Sequence, residues 1–91
     1  MATIRIIRQH NLDHKIARSE IQKLADRLAR ELSAECSWQG DRLEFRRSGA
    51  DGFIELAEGQ LVVEIKLGFL LIPLKSNIES TIHSYLDRNI S

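Results

Sequence analysis

From Leu61 to Leu74 the chain reads LVVEIKLGFLLIPL, its densest apolar block, and no other stretch could anchor a core. Leu61, Val63, Ile65 and Leu67 alternate with Val62, Glu64 and Lys66, the period of a strand with one buried face. After Gly68 the alternation stops. Phe69, Leu70, Leu71 and Ile72 are apolar at every position, too many for a strand with a wet face. Such a segment is either covered on both sides or left exposed for a partner. These four residues are therefore the candidate interaction surface.

The other segments follow from similar patterns. Ile4, Ile6 and Ile7 mark a strand over Thr3–Arg8. His10 to Asp13 is a connection, and Asp13 is placed to accept hydrogen bonds from the free amides that open a helix. Between His14 and Leu32 the residues Ala17, Ile21, Leu24, Ala25, Leu28 and Leu32 form one apolar stripe, with Lys23, Arg27 and Arg30 on the other side. Asp26 is spaced to pair with Arg30 on that wet face. Cys36–Trp38 and Leu43–Arg46 read as a hairpin around Gln39–Arg42, and Ser48–Gly52 as a second turn whose glycines can take positive φ. Phe53–Leu56 is a further strand, and Glu58–Gln60 turns into the strand from Leu61. Gly68 suggests a bulge or sharp bend in a curved sheet. A last helix begins between Pro73, which suits a first turn, and Ser76–Glu79, which has capping-box spacing. Its stripe is Leu74, Ile78, Ile82, Tyr85 and Leu86.

The expected fold is α+β: a two-layer domain with a curved antiparallel sheet, order β-α-β-β-β-β-α, helix-grip-like, and both helices on one face. Ninety-one residues suffice for one domain, 1–91, because a chain this short cannot support two cores. Thirteen Lys plus Arg balance thirteen Asp plus Glu, which gives no reason to expect nucleic acid as a partner. A single cysteine, Cys36, excludes an intramolecular disulfide. The N-terminus lacks a signal-peptide pattern, and the apolar run is far shorter than the roughly 20 residues that cross a bilayer. A soluble cytoplasmic protein is expected.

Catalytic chemistry has little to rest on. His10 and His14 are four apart, which unites two imidazoles only on one helix, and His10 precedes it; surface or capping roles are expected, with no metal site. Cys36 beside Trp38 reads as packing and not as a nucleophile. Glu44, Glu55 and Glu64 on successive strands, near Arg46 and Lys66, suit a polar outer face of cross-strand pairs. Gly49 and Gly52 lie between strands and form no phosphate-binding loop. Trp38 and Phe69 read as core, since large aromatics dominate small cores. No catalytic residue and no cofactor is assigned.

At Trp38-Gln39-Gly40-Asp41, Phe45, Gly49-Ala50-Asp51-Gly52, Leu67-Gly68 and Pro73-Leu74-Lys75, with His10 after the first strand, nearly the whole chain resembles the polyhydroxyalkanoic acid system proteins. These are small bacterial proteins named for their association with genes for polyester storage granules. The resemblance implies a setting and no reaction. It points to a non-enzymatic accessory protein, cytoplasmic and granule-associated, that binds the granule surface or a granule protein through Phe69–Ile72. The expected cover for that run is the second copy of a homodimer, with a granule surface as the alternative. The alternatives are a small binder of apolar acyl chains in the helix-grip manner and, weakest, a hydrolase.

Overall fold

The computed structural model describes residues 2–90. Its elements are β1 (Ala2–Gln9), α1 (His14–Leu32), β2 (Glu35–Gln39), β3 (Arg42–Arg47), β4 (Ala50–Ala57), β5 (Gln60–Leu67), a 3-10 helix (Phe69–Leu74) and α2 (Lys75–Asn89). The five strands form one curved antiparallel sheet in the order β1-β5-β4-β3-β2, so the first strand pairs with the last. Ile4 lies opposite Ile65 and Ile6 opposite Val63. The connection His10–Asp13 takes the chain sideways, from the Gly59 carbonyl that accepts the His10 amide at 3.0 Å to Asp41 beside His14, and α1 then runs back along β3, its Leu32 carbonyl accepting from Arg47 Nη1 at 2.7 Å. The meander β2 to β5 then walks back to β1.

Both helices cover the same face of the sheet. The α1 stripe Ala17, Ile21, Leu24, Ala25, Leu28 and Leu32 is wholly buried, as are Ile78, Ile82, Tyr85 and Leu86 of α2. They close over Ile4, Leu43, Phe45, Ile54, Val63, Ile65 and Leu67, each at most 2% exposed. Burying each such side chain contributes about 1.5–3 kcal/mol relative to leaving it in water. The helices run antiparallel to each other, for Tyr85 Oη donates to Glu20 Oε2 at 2.6 Å while Thr81 Oγ1 donates to Glu31 Oε1 at 3.1 Å. Arg8 ties β1 to the end of α2 through Asp87 at 2.8 Å.

Three two-residue turns connect the meander, and each places a glycine at positive φ: Gly40, Gly49 and Gly59. Gly52 is not part of a turn, contrary to the sequence reading. It lies inside β4, where an added Cβ would meet the backbone of β5, with Ile65 Cα at 2.8 Å. Gly68 makes no bulge; β5 ends before it and the chain leaves the sheet there.

The caps differ from expectation as well. Asp13 occupies the N-cap of α1 but its side chain makes no capping bond. Ser76 lies inside α2, because the preceding 3-10 helix already delivers the chain in helical geometry, with Leu74 at the N-cap. Asp26 accepts from Gln22 Nε2 at 2.9 Å and has no bridge to Arg30 among the described residues.

Candidate interaction surface

The apolar run is split by its own conformation. Alternation ends at Leu67, and Gly68 in extended geometry starts a 3-10 helix with three residues per turn. Phe69 and Leu70 point into solvent at 80% and 86% exposure, while Leu71 packs against the core and Ile72 is half-buried. The four residues named from the sequence are thus two outward side chains and two that support them. Phe69, read as core, is not core: a turn of this length turns only one side to the sheet.

This tip is held firmly. Gly68 N donates to Gly49 O at 2.7 Å, and Leu71 N donates back to Gly68 O at 3.0 Å. Leu71 Cδ1 lies 3.6 Å from where a Cβ on Gly49 would stand. Arg47, Asp51 and Lys66, all exposed, border a shallow cleft beside Gly49 and Gly68, with Arg47 donating to the carbonyls of Leu32 and Ser48 and Asp51 opposite Lys66 in the ladder.

The sheet face away from the helices offers a different surface. Arg5 pairs with Glu64 at 2.6 Å and Arg42 with Glu55 at 2.9 Å, the cross-strand pairs expected from the alternation, while Arg46 pairs with Glu44 along β3 itself at 3.6 Å. Arg42 also stacks over Phe53 at 4.1 Å. These charges satisfy one another and leave the face nearly neutral.

The remaining candidates have structural surroundings. Cys36 is half-buried, and burial followed by the Asp26 carboxylate raises its thiol pKa, the opposite of what a nucleophile needs. Trp38 donates from Nε1 to Gln22 Oε1 at 2.8 Å and lies under Arg18 at 3.8 Å, so it seals the edge between α1 and β2. His14 is exposed and faces Asp41 at 3.1 Å. His10, expected in a surface or capping role, is buried, and its Nδ1 accepts the Leu12 amide at 3.1 Å. Among the described residues no group of three or more His, Cys, Asp or Glu is placed to hold a metal ion, and no helix is long and apolar enough to cross a membrane.

A family model described as "Putative polyhydroxyalkanoic acid system protein" matches residues 4–90. The chain belongs to that family. Neither a curated protein nor a solved structure matches it. In this polyhydroxyalkanoic acid system protein the residues that carry the resemblance have identifiable structural uses. Gly40 and Gly49 make turns, Gly52 and Gly68 permit close backbone approach, and Phe45 fills the core. Pro73 sits within the 3-10 helix that presents Phe69 and Leu70.

Proposed function

We propose that this protein is a non-enzymatic accessory factor of polyhydroxyalkanoate metabolism that docks on the surface of polyester storage granules through Phe69 and Leu70. The observation that carries this reading is the exposure of two large apolar side chains, Phe69 and Leu70, on a turn that the Gly68 amide anchors to the Gly49 carbonyl. An exposed apolar tip suits the surface of a hydrophobic particle. Removing both side chains from water supplies about 3–6 kcal/mol before association costs, so one copy binds weakly and reversibly. Function at the granule is then a matter of many copies held near its surface.

Packing weighs against the acyl-chain alternative. Leu24, Leu28, Ile54, Val63, Ile65 and Ile82 fill the space between sheet and helices at 1% exposure or less. An enclosed chain would have to displace them. A homodimer joined through the same tip is the competing use of Phe69 and Leu70, since a symmetry mate hides an apolar patch equally well.

Co-pelleting with purified polyester granules and sedimentation in solution, both on Leu70→Asp, separate these uses. Lost pelleting with unchanged mass supports docking on the granule. A dimer that becomes a monomer while still pelleting assigns the tip to self-association. A folded variant that matches the wild type in both measurements overturns both readings.

A further inference from the structure

The sheet has two edges, β1 and β2. In an antiparallel ladder successive residues of a strand turn their N–H and C=O to opposite sides. The His10 amide donates to Gly59 O at 3.0 Å, one step beyond the Gln9–Gln60 pair, so Ala2, Ile4, Ile6 and Arg8 turn theirs to β5. Thr3, Arg5, Ile7 and Gln9 therefore turn theirs away from the sheet, where among the described residues no strand pairs with them. All four are exposed. On β2 the Leu56 amide bonded to Asp41 O at 2.8 Å fixes the same alternation and leaves only Cys36 and Trp38 of that strand facing outward. β1 is the more open edge.

An open edge usually carries a device against pairing, such as a proline, a bulge or an uncompensated charge. β1 holds no proline and no bulge, its register with β5 running unbroken from Ala2 to Gln9. Its two cations are compensated within the chain, Arg5 by Glu64 at 2.6 Å and Arg8 by Asp87 at 2.8 Å. The edge also presents an apolar side chain on the sheet face away from the helices. Ile7 is 51% exposed there and lies opposite Val62, itself 7% exposed.

We infer that two copies of the chain pair antiparallel through β1, joining their sheets into one. The residues of the edge select the register. Only outward-facing groups can bond, so the two-fold axis passes through a residue and not between two. At Arg5 it would set two guanidinium groups opposite each other, which is destabilising. At Ile7 it would place Thr3 opposite a residue beyond the end of β1. At Ile6 it places Thr3 opposite the partner's Gln9 and Arg5 opposite the partner's Ile7. Every outward group of the edge is then used, in about eight hydrogen bonds. No like charges meet, and the two Ile7 side chains lie diagonally across the axis, each beside its own Val62. The Phe69–Leu70 tip is anchored to Gly49 on the far side of β5 and takes no part, so this pairing is independent of granule docking.

The experiment is sedimentation equilibrium of the full chain over a series of concentrations, with backbone amide exchange measured at the two ends of the series. The expected result is a reversible dimer in which the amides of Thr3, Arg5, Ile7 and Gln9 exchange roughly tenfold or more slowly at the high concentration than at the low. Ile7→Lys alters an exposed position, so the monomer stays folded. It sets a cation opposite the partner's Arg5 at both symmetry-related places and weakens association roughly tenfold or more. Ile7→Glu sets an anion there and retains more of the association, and Leu70→Asp leaves it unchanged. A wild-type chain that is monomeric up to about 1 mM, a dimer that Ile7→Lys does not weaken, or edge amides that exchange equally fast at both concentrations overturns the inference. Equal losses in Ile7→Lys and Ile7→Glu overturn the register at Ile6, and a dimer lost only in Leu70→Asp overturns the pairing in favour of the tip.

Discussion

Gly68 gives its amide to the carbonyl of Gly49 at 2.7 Å, so the exposed tip is anchored to the β3–β4 turn by a contact between two glycines. A Cβ on Gly68 would lie 2.9 Å from that same oxygen. Gly68→Ala therefore forces the two backbones apart. The expected cost is about 1–3 kcal/mol, the range for inserting a methyl into a packed contact. Urea unfolding of the variant measures it, and amide exchange at Gly68 rises if the anchor is lost.

Neighbouring leucines in the run should respond oppositely to a charge. Leu70 is 86% exposed, so Leu70→Asp leaves stability within about 0.5 kcal/mol of the wild type. Leu71 packs against the core beside Gly49, and Leu71→Asp costs about 1–3 kcal/mol because a charge replaces that contact. Thermal or urea unfolding of the pair checks the difference. Equal effects would show that the tip has no inner and outer side.

Tyr85 links α2 to α1 and sets a pH dependence. Burial first, and then its hydrogen bond to Glu20, raise the phenol pKa above its ordinary value. In the unfolded chain the phenol ionises near pH 10, whereas the folded protein keeps the proton, so stability is full below that pH and falls as pH rises through it. Tyr85→Phe loses the bond to Glu20 and is expected to be about 1 kcal/mol less stable at neutral pH. That gap should narrow above roughly pH 10. Cys36, whose pKa is also raised, contributes a fall in the same direction, but it is common to both proteins and cancels in the comparison. Urea unfolding at a series of pH values tests the sign; a gap that widens with pH contradicts it.

Local pattern alone determined much of this protein. The stripes of α1 and α2, the period-two strands and the glycine-marked turns place the five strands and both α-helices within a few residues, because each reflects one buried face repeated along a short segment. Leu24 and Leu28 are buried at 1% and 0%, as the stripe requires. Tertiary structure decided the rest, through groups distant in sequence. That β1 joins β5, with β2 at the far edge, rests on pairing between strands distant in sequence, which no local signal encodes. Gly52 looks like a turn residue until β5 passes against it, and Gly68 looks like a bulge until Gly49 meets it. The run Phe69–Ile72 divides into outward and inward side chains only once a 3-10 helix replaces the strand, and His10 becomes buried only when the β4–β5 turn closes over it, its amide bonded to Gly59 O at 3.0 Å. Periodicity records which face of a segment is dry; it does not record which neighbour makes it so.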